Sequence, residues 1–295
     1  MEPEPGSEAC TSRVALGDRR RARLFYGPEF CESLLPTERV LLAAYRSSAE
    51  TYGGFTFVTP PASDAALAKL RGHFAILAEQ DRPVEVVVND WGVLRLLGET
   101  SNRLKPVLGR LMNKMLRDPR ITPRIGAEAL LPEAALVTRQ SALTSPSYNA
   151  LLRSHGIEMI ELDNLYQGIE IDFVGLGLRP SVHVPFGFVA SGPACFFAGM
   201  HQPKEKKFAN DTACRLECQT YIGQMTDSAA AARGAPLVTQ GNTVFYRQYE
   251  AMVEQALAWA ESHHARIVMR ETPFGDAYAT DDVAVARSWM TGRHE

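Results

Sequence analysis

The chain has 295 residues, five of them cysteine, and a formal net charge of −3. With 45% hydrophobic and 22% charged residues it can bury a sizeable core, which excludes disorder as its main state. Five cysteines are too sparse for a disulfide scaffold, and a pI near 6.2 argues against a broadly basic nucleic-acid surface.

No run of eighteen apolar residues occurs, so no transmembrane helix is expected. Met1 to Cys10 has no apolar h-region of a secretory signal. The expected compartment is a reducing cytoplasm, where spaced cysteines serve as metal ligands or reactive thiols more often than as bridges.

Residues 1–22 read as a disordered lead-in, with Pro3, Pro5 and Gly6 ahead of Arg19, Arg20, Arg21 and Arg23. No aromatics interleave with these arginines, so a solvated tail is favoured over a phosphate contact. Order begins with a strand at Arg23–Gly27. Thr37 starts a helix that runs to about Glu50, and Phe55–Thr59 is a strand stopped by Pro60-Pro61. Ser63 starts a second helix, and Val84–Val88 reads as a strand buried on both faces. A helical segment after Trp91 and a strand at Lys105–Leu108 follow. Pro119, Pro123, Pro132 and Pro146 punctuate 112–146, which reads as an insertion or cap. Beyond it come a helix near 147–155, a stop at Gly156, and strands at Ile157–Leu162 and Ile169–Val174. Val182–Ala190 is apolar but irregular, because of Pro185 and Gly187. The loop region 191–221 holds three cysteines. Gly241-Asn242-Thr243 reads as the start of a helix from Val244 to His263, and Arg266–Met269 as a last strand.

Alternating strands and helices predict an α/β fold, a (β/α) barrel-like single domain over 23–295 with a mainly parallel sheet, incomplete or distorted. There is no G-x-G-x-x-G, P-loop, H-E-x-x-H or G-x-S-x-G in its required setting.

The cysteines lie at 10, 31, 195, 214 and 218. Cys10 falls in the lead-in. Cys31 and Cys195 follow strands, and the loops after parallel barrel strands gather at one face. Cys214 and Cys218 form a C-x3-C pair. Four thiolates can hold a [4Fe–4S] cluster or a tetrahedral zinc, and unrelated buried thiols are the alternative.

The stretch Ser191-Gly192-Pro193-Ala194-Cys195-Phe196-Phe197, followed by Cys214-Arg215-Leu216-Glu217-Cys218, resembles the cysteine-bearing region of the peptidase U32 family, nearest its UbiV-type ubiquinone biosynthesis members. Val88-Asn89-Asp90-Trp91-Gly92 and Pro106 to Asn113 resemble two of its strand ends. The likeness runs from about residue 24 to 270. It implies a [4Fe–4S] cluster on Cys31, Cys195, Cys214 and Cys218. It also implies oxygen-independent hydroxylation of a ubiquinone ring precursor, in a heterodimer with a UbiU-like paralogue. An RNA-hydroxylating relative using prephenate as donor and a non-catalytic metal-stapled accessory subunit are the alternatives. Protease activity is not expected, since no activated nucleophile or metal-bound water can be assembled. Relative to the family, one strand–helix unit is missing before the first cysteine, so the barrel is expected to be short by one unit.

Three residues are candidate substrate contacts. Asp90 follows a buried strand and either binds substrate or caps the next helix. Arg110 can grip a carboxylate with two bonds or form a surface ion pair. Arg247, with Tyr246, is placed one turn into the last long helix and could face the site. His183 reads as a satisfied core or rim histidine. His263 and His264 sit at a helix end, and His201 and Lys204 to Lys207 form a solvated loop.

Overall fold

The computed structural model describes residues 20–117, 132–209, 212–225 and 237–291. Cys10, most of the expected lead-in and residues 118–131 of the expected insertion lie outside the described residues.

The chain first lays down strand–helix units: β1 (Arg23–Tyr26), α1 (Glu38–Thr51), β2 (Gly54–Val58), α2 (Asp64–Ala78), β3 (Val84–Val88), α3 (Trp91–Thr100) and β4 (Leu104–Leu108). Side-chain caps fix the helix starts, as the sequence suggests. Thr37 accepts from the Val40 N–H at 3.3 Å, and Ser63 from that of Ala66 at 3.3 Å. After α4 (Pro132–Arg139), Ser145 caps α5 (Pro146–Ser154), whose first residue is the proline that needs no N–H there. Then come β5 (Met159–Asp163), a one-turn helix α6 (Phe173–Leu176) and β6 (Arg179–Val184).

The strand expected at Ile169–Val174 is absent. Asp172 accepts from the Gly175 N–H at 2.9 Å and nucleates α6, which Gly177 ends at φ +66°. The irregular stretch 182–190 resolves into two strands of different sheets, because β7 (Phe186–Ser191) leaves the barrel. The Val184–Pro185 peptide between them is cis. Beyond a one-turn helix α7 (Phe196–Gly199), the strands β8 (Gly223–Met225), β9 (Leu237–Gln240) and β10 (Thr243–Arg247) join β7 in an antiparallel sheet of order β7-β10-β9-β8. The long helix expected from Val244 therefore begins later, as α8 (Glu250–Ser262). The Thr-Val-Phe-Tyr run before it takes the strand form that β-branched and aromatic residues favour. Gly241-Asn242-Thr243 is a hairpin turn and strand start, with Gly241 at φ +59°, and caps no helix.

The chain returns to the barrel with β11 (Arg266–Arg270), β12 (Ala277–Thr280) and α9 (Val283–Thr291). The barrel is closed, in the order β1-β12-β11-β6-β5-β4-β3-β2. Seven strands run parallel, and β12 pairs antiparallel with both β11 and β1. The expectation of a barrel short by one unit thus fails, because the hairpin partner β12 fills the eighth place.

Alternation along each strand separates two cores. Outward residues such as Phe57, Val86, Ile160, Val182 and Ile267 pack under the helices. Inward residues, among them Phe25, Val58, Val87, Val107 and Val268, form a smaller cluster inside the barrel. Arg23, read with the solvated tail, instead reaches the barrel's amino-terminal end. It donates to the Phe55 carbonyl at 2.7 Å and pairs with Glu85 at 3.4 Å. Among the described residues no helix is long and apolar enough to cross a membrane.

Candidate metal centre and barrel-mouth cleft

The four cysteines past the lead-in are free thiols on loops at the carboxyl end of the barrel. Cys31 follows β1 and precedes a single 3-10 turn. Cys195 follows β7 and starts α7, its Sγ accepting from the Ala198 N–H at 3.5 Å. The Cys214 Sγ accepts from the Leu216 N–H at 3.4 Å. Leu216 stands at φ +61°, so the chain doubles back and brings Cys218 inward, where it is buried.

Two residues of the β9–β10 turn organise these loops. The Asn242 amide donates to the Phe30 carbonyl and to the Gly192 carbonyl, both at 2.8 Å. It thereby ties the residue before Cys31 to the approach to Cys195. A Cβ on Gly241 would lie 2.7 Å from the Phe274 ring and 3.4 Å from the Cys218 Cβ, so glycine lets this turn pack beneath Cys218. Gln240 adds a bond from its amide to the Cys218 carbonyl at 2.8 Å.

The thiols sense one another. Burial pushes the Cys218 thiol up to about 12, and Cys31, Cys195 and Cys214 each push in the same direction. Burial also raises Cys31, against hydrogen bonds from Ser33, with Cys214 and Cys195 adding to the rise. Such thiols stay protonated until a positive centre displaces their protons. Among the described residues no three His, Cys, Asp or Glu side chains converge on one metal ion. Four thiols are the donor type that a four-iron cluster would take, and the Cys195 and Cys214 sulfurs already accept backbone N–H bonds.

Next to Cys31 and Cys218 lies a cleft of about 450 Å³, whose walls also include Glu29, Phe274, Arg270 and Asp276. Behind it the barrel mouth is charged. Arg110 is fully buried and forks onto Glu29 with two bonds of 2.7 Å, while its third nitrogen meets Asp163 at 2.7 Å. Arg270 also pairs with Glu29, at 2.9 Å. Arg117 pairs with Asp163 at 2.6 Å and lies over the Phe188 ring. The two acids hold Arg110 charged despite its burial, and burial lowers Arg270. Because Glu29 is two residues before Cys31, this network also anchors the Cys31 loop.

Deeper in the barrel, Glu161 Oε2 contacts His183 Nε2. Burial, with Glu29 adding, pushes Glu161 up to about 8. Burial and then Arg110 and Arg270 hold His183 well below the ordinary histidine range. At neutral pH the pair is therefore a carboxylic acid beside a neutral imidazole.

The three candidate substrate residues fare differently. Asp90 caps α3, accepting from Gly92 at 2.7 Å and Val93 at 3.2 Å. Arg110 does grip a carboxylate with two bonds, but that carboxylate is the chain's own Glu29, and the ion pair is buried rather than on the surface. Arg247 ends strand β10 and is exposed, and it is not on a helix. Tyr246 is buried and donates to the Asn164 carbonyl at 2.7 Å. His263 ends α8, stacked on Trp259, and Lys204 to Lys207 are exposed. Sequence reading missed Glu29, Asp163, Glu161 and Arg270. For Glu161, Asp163 and Arg270 the available signal was charge at same-face positions of the apolar runs Ile-Glu-Leu-Asp and Arg-Ile-Val-Met-Arg. No family model, curated protein or solved structure matches the chain.

Proposed function

We propose that the chain is a [4Fe–4S] protein of the peptidase U32 type. It acts in oxygen-independent hydroxylation of a ubiquinone ring precursor, with a UbiU-like paralogue as partner. The observation that supports this reading is that four free thiols on three loop segments lie near enough to influence one another, with Cys31 and Cys218 lining a cleft at the mouth of a closed barrel. Cys31, Cys195, Cys214 and Cys218 are its ligands, and a reducing cytoplasm keeps them available. When bound, such a cluster supplies one-electron chemistry at the cleft. The chain's own residues do the rest. Asn242 joins the Cys31 and Cys195 loops, and the Ala198 and Leu216 N–H groups stabilise thiolate sulfur. Arg270 and Glu29 form the charged wall of the cleft where a polar ring substituent would rest.

Anaerobic purification tests the cluster. The reading expects a brown protein with about four irons and four sulfides per chain. Alanine at any of the four ligand positions should lose the iron, and Cys10→Ala should keep it. A colourless protein with stoichiometric zinc refutes it. The hydroxylation is tested separately, by quinone analysis of cells lacking the chain and grown without oxygen. Unchanged ubiquinone there refutes the assigned reaction.

A further inference from the structure

Barrel interiors are ordinarily filled with branched apolar side chains. One layer of this interior obeys that rule, with Phe25, Val58, Val87, Val107 and Val268. The wall formed by β5 and β6 is polar. Glu161 of β5 and Ser181 of β6 are paired across the sheet, and His183 stands two residues further along β6, so all three point inward on adjacent rungs. Arg270, two residues past Val268 (the partner of His183 on β11), continues this side to the cleft. Four atoms here are buried without a hydrogen-bond partner among the described residues: Glu161 Oε1, Ser181 Oγ, His183 Nδ1 and Arg270 Nε. Buried polar atoms almost always have a partner, and where protein supplies none, ordered water does. A group of donors and acceptors left over together marks an internal hydrated site.

We infer that the Glu161–His183 pair, with ordered water between His183 Nδ1 and the Arg270 end of the cleft, is a store that exchanges one proton with the cleft. In the loaded state Glu161 is a carboxylic acid whose Oε2–H donates to His183 Nε2, and the imidazole proton is on Nδ1. For release, the Nδ1 proton passes to water while the Oε2 proton passes to Nε2. Glu161 is left as a carboxylate, and the imidazole remains neutral as the other tautomer. Uptake is the reverse, and no oxidant or reductant is needed.

The surroundings suit both states. Arg110, Arg266 and Arg270 face Glu161 and favour its carboxylate, while Glu29 opposes it. Asp163, the ladder partner of His183, is already held by Arg110 and Arg117. The Gln248 amide donates to the His183 carbonyl at 3.0 Å and fixes the backbone behind the ring. Burial places the exchange of Glu161 at about 8, within reach of a working protein. The inference holds whether or not the thiols carry iron.

The test is nitrogen NMR of the full chain labelled with 15N-histidine, followed from pH 6 to pH 9. The His183 signal is identified by its loss in His183→Gln, or by ring-to-backbone correlation in the wild type if that variant does not fold. At pH 6 the ring should be neutral and protonated on Nδ1, with that proton exchanging with water. Through about pH 8 it should switch to the Nε2–H tautomer. In Glu161→Gln the amide donates to Nε2 at every pH, so the switch should vanish. An Nε2–H tautomer or an imidazolium at pH 6, or an Nδ1 proton that does not exchange with water, overturns the inference.

Discussion

The pH dependence of stability turns the buried Glu161–His183 contact into a measurable quantity. Glu161 has its value raised from 4.5 to about 8, so its stabilising contribution is complete below the ordinary Glu range and is lost as pH rises through 8. His183 is lowered from 6.5, so its contribution is complete above 6.5 and is lost as pH falls below it. Just below 6.5 the folded pair holds one proton, on Glu161, and the unfolded chain holds one, on His183. The two dependences cancel, and the pair contributes a plateau there. Above 6.5 the unfolded chain has released its proton while the folded chain retains one. Stability should then fall by about 1.4 kcal/mol per pH unit, a loss of about 2 kcal/mol between pH 6.5 and 8. The arginines facing the pair stay charged throughout this window. Glu161→Gln removes the titrating carboxyl and keeps the contact to His183. Urea unfolding of wild type and variant, under reductant at half-unit steps, measures the difference. Relative to wild type, the variant should gain about 2 kcal/mol from pH 6.5 to 8, whatever else in the chain titrates. Parallel curves across that window would refute a protonated Glu161.

Arg110→Met leaves Glu29 and Asp163 without their shared partner inside the barrel mouth, and should lower unfolding stability by about 3–5 kcal/mol. The midpoint in denaturant reports this, and a surface ion pair would cost under about 1 kcal/mol. Asn242→Ala removes two bonds that join the Cys31 and Cys195 loops. It should cost about 1–3 kcal/mol and weaken retention of bound iron under a chelator, with the fold's circular dichroism unchanged. Gly241→Ala forces a Cβ toward the Phe274 ring at a left-handed φ. It should destabilise by at least about 1 kcal/mol in the same unfolding assay. Asp90→Ala should cost only about 1 kcal/mol, the worth of a helix cap, and leave ligand binding in the cleft unchanged by calorimetry.

The outer shell of this fold was legible because its signals are local. Thr37, Ser63 and Pro60-Pro61 announce element ends within a few residues, and the apolar run at 84–88 identifies a strand that neighbours cover. What resisted reading was wherever a strand carries no such mark. β12 is Ala-Tyr-Ala-Thr, a four-residue segment with two alanines that holds its place by pairing with β11 and β1. β10 runs into α8 with only Gln248 and Tyr249 between them, so its apolar residues merge with the helix pattern. The four cysteines and Arg110 were visible as residue types, but their partners were not. Glu29 and Arg110 are separated by 81 positions and Glu29 and Arg270 by 241, and only barrel closure brings them together.

Charge placement inside the barrel follows from where its chain leaves and returns. Between β6 and β11 the chain departs to build the β7-β10-β9-β8 sheet, and that excursion carries Cys195, Cys214 and Cys218. Cys31 stays on the barrel proper, so the proposed centre would straddle the two units and need both held in register. Asn242 does this through carbonyls on each side, and Asp163 does it from β5 by accepting from the Phe188 N–H of β7 at 3.2 Å. Arg110 and Arg117 pair with the two oxygens of Asp163, and Arg110 is positioned in turn by Glu29, beside Cys31. A charge cluster that would be costly as a stabiliser of the barrel alone therefore has a specific effect here. It couples the geometry of the thiol loops to the closed mouth beneath them, so loss of any one charge should disturb the thiol loops before it unfolds the barrel.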